Sequence, residues 1–242
     1  MSLIISTYVP EGIIIAGDSR LTLSWNEKED SSNVEKNFSI IATDTNTKVF
    51  SIKDKFGLAT FGAADVNGIP ISGYINQFIE EKINDTTEID DIPKFLHEFF
   101  GDPLGKPKTY FYLAGYKIEN RISIPYLYLL DINNSTTARI NETDGKIQFG
   151  ANWGGESEVM TRLLTDIKIQ QNGIFTDLKS SGIPFNFFTL QDAIDFSNYA
   201  VNTTIETFRF QQRIKTVGGP VDILSITPND VNWIKKKELT SN

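Results

Sequence analysis

The run GIIIAGDSR, Gly12 to Arg20, carries the first candidate functional group of the chain. Its apolar core reads as a buried strand, and the strand's end delivers Asp18 into a functional site. Arg20, two residues on, is expected to be structural. The residue types narrow the chemistry. Cysteine is absent, which excludes disulfides, thiolate zinc sites and a cysteine nucleophile. A serine–histidine–aspartate triad would have to use His97, the one histidine of the chain. His97 sits among Ile92, Phe95, Leu96, Phe99 and Phe100 after Pro93, an apolar helical face, and reads as a helix histidine at the border of that face.

The elements that must position such groups follow from periodicity. Leu3 to Val9 and Ile13 to Ala16 are apolar runs separated by Pro10-Glu11-Gly12, which predicts two strands and a tight turn. Leu21 to Asn46 is polar, with Glu27 to Ser32 read as loop. Lys48 to Ile52 and Phe56 to Phe61 predict strands around a turn at Lys53-Asp54-Lys55. Ile69 to Ile83 and Ile92 to Phe100 have helical spacing, and Gly101-Asp102-Pro103 stops the second helix. Strands are expected at Tyr110 to Tyr116, Ile122 to Leu130, Thr136 to Asn141 and, after a turn at Asp144-Gly145, Ile147 to Phe149. After Gly154-Gly155, the residues Val159, Leu163, Leu164 and Ile167 predict a helix, and Leu190 to Phe208 a longer one. Strands at Val221 to Ile226 and Val231 to Ile234 end the chain. No linker or low-complexity stretch divides it, so residues 1–242 are expected to form one domain. Two sheets face to face, covered outside by helix pairs, would bury every apolar face.

Composition excludes several classes. The chain has 242 residues, 40% of them hydrophobic, enough for a sizeable core. With 31 acidic against 23 basic residues the net charge is −8, which opposes a phosphate backbone, so no nucleic-acid partner is expected. Lys235-Lys236-Lys237 is a short charge run and is assigned no function. No apolar stretch approaches the roughly 20 residues of a membrane span. The start MSLIISTYVP lacks the charged and small-residue regions of a signal peptide, so no membrane association and a cytoplasmic location are expected.

Three pieces of this layout resemble the proteasome β-subunit family and its bacterial relatives, which are N-terminal nucleophile hydrolases. GIIIAGDSRLT is similar to the family's second strand, which ends in an aspartate followed closely by an arginine. Lys48 to Ile52 with FGLATFGAAD, Phe56 to Asp65, resembles the lysine-bearing strand and the glycine-alanine-aspartate turn that opens the first helix. Gly218-Gly219-Pro220-Val221-Asp222 is like the paired glycines before a late strand. The resemblance spans nearly the whole chain and implies an α+β fold, a four-layer αββα sandwich.

It also implies a chemistry, that of a threonine-peptidase-like amide hydrolase. The family attacks with the side-chain oxygen of its first residue and uses that residue's α-amine as base. Counting back from Asp18, the first position falls on Ser2, freed by removal of Met1. An α-amine titrates near ~7.7–8.0, so a modest downward shift by a neighbouring cation makes it a base at neutral pH. The resemblance assigns Ser2 as nucleophile and base, Lys48 as electrostatic activator and Asp18 as the group that orients Lys48. The backbone N–H of Gly62 resembles the oxyanion donor. On residue type alone, Asp18 would serve equally as a turn residue and Lys48 as a solvated strand-end lysine, and Met-Ser is a common start. The implied partners are a peptide or small amide substrate and further copies of the chain in a homo-oligomer; no cofactor is implied and no metal dependence is expected.

The chain departs from the family in four places. The stretch Phe149-Gly150-Ala151-Asn152, matched to the family's Gly-Ser-Gly segment, offers Ala151 in place of serine. Ile214 and Val217 stand where the family has an aspartate and a serine before the paired glycines, with Asn152 and Thr216 as candidate substitutes for the lost polar groups. The segment between Asp18 and Lys48 is longer and is expected to reshape or cover the substrate cleft. These departures favour an alternative: a catalytically inactive subunit of the same fold that acts as scaffold or binding module. A small-molecule amidase is a third reading, since fold does not fix substrate.

Overall fold

An unbroken apolar run is stable as a strand only where both of its faces find cover. The computed structural model describes residues 2–28 and 35–238. Here β1 (Leu3–Val9) and β2 (Gly12–Asp18) are buried along their whole length. They form a hairpin turned at Pro10-Glu11, with Ile4 opposite Gly17 and Val9 opposite Gly12. β3 (Leu21–Lys28) and β4 (Glu35–Thr43) make a separate two-stranded ribbon. β5 (Val49–Ile52) and β6 (Phe56–Gly62) form the next hairpin. The short pair β7 (Asp65–Val66) and β8 (Ile69–Pro70) leads into α1 (Ile71–Lys82), which is followed by α2 (Ile92–Phe100).

β9 (Thr109–Glu119), β10 (Ile122–Asp131) and β11 (Thr136–Arg139) run as a meander. A small hairpin of β12 (Glu142–Thr143) and β13 (Lys146–Ile147) precedes β14 (Gly150–Gly155) and α3 (Glu158–Leu164). After the hairpin β15 (Ile167–Gln171) and β16 (Ile174–Leu178) comes the long α4 (Leu190–Phe210). A capping box opens it, Thr189 and Asp192 satisfying each other's backbone N–H groups. β17 (Val221–Ile226) and β18 (Val231–Lys235) complete the described elements.

The strands form two five-stranded sheets, β14-β1-β2-β17-β18 and β11-β10-β9-β6-β5, both antiparallel throughout. With helices set between groups of strands, the chain is α+β. Alternation along each strand divides the core in three. Ile4, Tyr8, Ile13, Ile15 and Leu224 meet Val49, Ala59, Tyr112 and Leu127 of the other sheet. Leu3, Ile5, Ile14, Ala16 and Ile223 turn the opposite way, onto Met160 of α3 and Ala200, Val201 and Phe208 of α4. On the second sheet Leu58, Phe111 and Leu113 face Ile75 and Phe78 of α1 and Leu96 and Phe100 of α2. No helix among the described residues is long and apolar enough to cross a membrane.

Two expectations need correction. Glu27 is not loop: it lies in β3 opposite Lys36, while residues 29–32 of the predicted loop lie outside the described residues. Nor does Ile167 continue a helix, because α3 ends at Leu164 and Ile167 begins β15. Ile167 and Ile169 alternate with Lys168 and Gln170, a strand period, and Asn172-Gly173, both at positive φ, supply the two-residue turn to β16.

Candidate active site

Because Ile4 is opposite Gly17, the start of β1 is brought against the end of β2, and Asp18 reaches the main chain just after Ser2. Its Oδ1 accepts the Leu3 N–H at 2.9 Å and the Lys48 ammonium at 2.7 Å. Its Oδ2 accepts the N–H groups of Gly218 at 3.1 Å and Arg20 at 3.2 Å. One buried carboxylate thus ties together β1, the segment entering β5, the loop before β17 and its own strand end. Lys48 is equally enclosed, and its backbone carbonyl accepts the Thr60 N–H of β6. Burial pushes the Lys48 ammonium below its usual pKa; the charge and hydrogen bond of Asp18 oppose this, and the cations Lys237 and Arg20 add to it.

A second ion pair stands close by. Asp222 lies across from Gly17 on the face that looks toward the second sheet, where a Cβ on Gly17 would touch Val49, the residue after Lys48. Asp222 accepts the backbone N–H of Lys237 at 2.7 Å and pairs with the Lys237 ammonium. Sequence reasoning missed this pair.

Ser2 is 8% exposed, and its carbonyl accepts the Glu156 N–H at 2.8 Å. That contact requires glycine at 155: its φ is +88°, and a Cβ would fall 1.8 Å from the Ser2 carbonyl oxygen. Glu156 is buried, receiving the Thr216 hydroxyl on one oxygen at 2.7 Å and Arg213 on the other at 3.1 Å. This corrects the matched segment, since Gly150, Ala151 and Asn152 pair with Tyr8, Thr7 and Ser6 at the far end of β1. Asn152 donates to the Tyr8 hydroxyl, away from Ser2, and Thr216 bonds to the carboxylate of Glu156, whose backbone N–H meets the Ser2 carbonyl. The Gly154-Gly155-Glu156 run was the available signal for this contact.

No protein-family model matches this chain, and no curated protein sequence matches it.

Gly62 ends β6 at φ +104°, where a Cβ would lie 2.5 Å from the Lys108 carbonyl. Phe61 before it lies on Gly154, whose Cβ would strike the ring at 2.4 Å, so the end of β6 reaches the strand beside Ser2. Arg20 grips Asp44 with two hydrogen bonds, 2.6 and 2.8 Å, donates to the Lys215 carbonyl, and packs on Gly218. It braces the base of the ribbon against the loop before β17. His97 lies on α2 with its Nε2 against the Thr137 hydroxyl of β11, outside the second sheet. Met1 lies outside the described residues. Among the described residues no cluster of three or more histidine, cysteine or acidic side chains is arranged to hold a metal ion.

Proposed function

We propose that this chain is a proteasome-like N-terminal nucleophile hydrolase of four-layer αββα architecture. It cleaves peptide or other amide bonds through an acyl-enzyme on Ser2, once Met1 is removed, and works in the cytoplasm as a homo-oligomer. The observation that carries the reading is the Asp18 carboxylate bonded through one oxygen to both Leu3 N–H and Lys48, which anchors a buried ammonium to the main chain one residue from Ser2. The three core layers between helices and sheets support the architecture.

A like charge beside the Ser2 α-amine lowers that amine's pKa and leaves it free to take the hydroxyl proton. The Ser2 oxygen then bonds to the substrate carbonyl carbon, the amine returns the proton to the leaving nitrogen, and water releases the acyl group by the same route. Lys48 stabilises the alkoxide as it forms, and the Gly62 N–H receives the carbonyl oxygen.

A specific observation favours the second reading, an inactive scaffold or binding subunit: Ser2 is almost fully enclosed, and Glu156 fixes its carbonyl. The intact mass of the natively expressed protein, with and without a β-lactone or epoxyketone, separates the two. The hydrolase reading requires loss of Met1 and one adduct on residue 2; complete retention of Met1 would falsify it.

A further inference from the structure

The β3–β4 ribbon walls a cleft of about 580 Å3. Residues 21–25 of β3 line one side and residues 62–65 the other. Successive strand residues point to opposite faces, so a cleft that touches five in a row follows the strand's edge, where backbone N–H and C=O groups point. Gly62, Ala63 and Ala64 opposite present little side chain. Thr22, buried in the cleft wall, has no hydrogen-bond partner for its hydroxyl among the described residues. These features complement an extended peptide, which brings amide groups to a strand edge.

The ribbon adds a further feature. Cross-strand partners share a face, so Leu23 and Ile40 lie with Trp25 and Phe38 on one side, and Ser24 and Ser39, hydrogen-bonded at 2.8 Å, on the other. The Trp25 and Phe38 rings stack at 5.6 Å with an interplanar angle of 16°, both partly exposed, and Trp25 lines the cleft. Trp25 lies four residues past Leu21, roughly 13 Å along the strand. At the other wall Asp65 holds its carboxylate on the Gly68 N–H, a negative group that disfavours acidic occupants.

Resting on the peptide-hydrolase reading, we infer that Trp25 and Phe38 are specificity determinants that receive a bulky apolar side chain of a bound peptide, about four residues from the one lying against Leu21. An aromatic pair already stacked on a ribbon gains contact area with little further ordering when such a side chain arrives.

The test is binding to the Ser2→Ala variant, measured by calorimetry with capped hexa-alanine peptides carrying one Phe, Leu, Ser or Glu at each position in turn. Phe and Leu are expected to bind at least roughly fivefold tighter than Ser or Glu at one position only. Trp25→Ala and Phe38→Ala, added singly, erase that preference, and Trp25→Phe restores it. Equal binding of all peptides, no binding of any, or a preference that survives both alanine variants overturns the inference. Wild-type hydrolysis is read separately. A preference erased by Trp25→Ala in a protein that cleaves no peptide supports the aromatic wall and removes the hydrolase, whereas cleavage with an unaltered profile in the variants does the reverse.

Discussion

Asp18 Oδ1 and Lys48 Nζ lie 2.7 Å apart, and neither side chain meets solvent. The pair joins the end of β2 in one sheet to the segment entering β5 of the other, so its charge and its packing are tested together. Removing one partner of a buried pair strands the other charge, at roughly 3–5 kcal/mol. Asp18→Asn and Lys48→Met should each lower the urea unfolding free energy by that order. The double variant should lose clearly less than the sum, because neither charge is left alone. A simple additive result would show that the two groups act independently.

The same lysine predicts a pH dependence. Its pKa in the folded state is lowered from 10.5 by burial, so between the folded and unfolded values the unfolded chain holds more protons and stability rises with pH. Tyr116, raised to about 12 by burial, acts in the opposite direction above its ordinary 10.0. The difference between wild type and the Asp18→Asn, Lys48→Met double variant cancels the tyrosine contribution. Wild-type stability relative to that variant should climb as pH approaches 10.5, and a flat difference across the alkaline range would contradict a lowered Lys48 pKa.

Gly155→Ala should be among the costliest small substitutions in the chain. The added Cβ cannot share space with the Ser2 carbonyl, and the positive φ is itself strained, about 1–3 kcal/mol. Because Ser2 must move to make room, any hydrolysis should fall at least in proportion. A melting temperature within about 1 °C of wild type would mean that β1 does not begin where Ser2 now lies.

Ser2→Ala should abolish both amide turnover and adduct formation while leaving the urea midpoint within experimental error, since the Ser2 contact shown here is made by its backbone. Ser2→Thr should keep part of the activity, supplying the same oxygen and amine. Turnover that survives Ser2→Ala would place the nucleophile elsewhere.

Much of the fold was legible in the sequence. The tripled isoleucine of β2 and the apolar run of β1 announced strands buried on both faces, and the Ile92 to Phe100 spacing matched α2 at both ends. The hairpin at Asn172-Gly173 was overlooked because Ile167 fits the period of the preceding helix as well as that of a strand. At the site, spacing placed Asp18 at a strand end and the resemblance paired it with Lys48, which the structure does bring to it, but neither pointed to the N–H groups of Leu3 and Gly218. The matched Gly150–Asn152 segment failed for a related reason: strand register decides which residue stands beside Ser2, and the register sets Gly155 opposite Leu3.

By itself the sequence determined which residues must be inside, through apolar periodicity, and which chemistries are unavailable, through the absence of cysteine. Only the tertiary structure decided that Asp18 meets Leu3, Lys48 and Gly218 at once, that Glu156 rather than Asn152 attends Ser2, and that Asp222 holds Lys237 nearby. The physical reason is that a polar side chain has no periodicity to betray its partner. Where it ends is set by the register of strands that are neighbours in space and up to 200 residues apart in sequence, as Asp18 and Gly218 are.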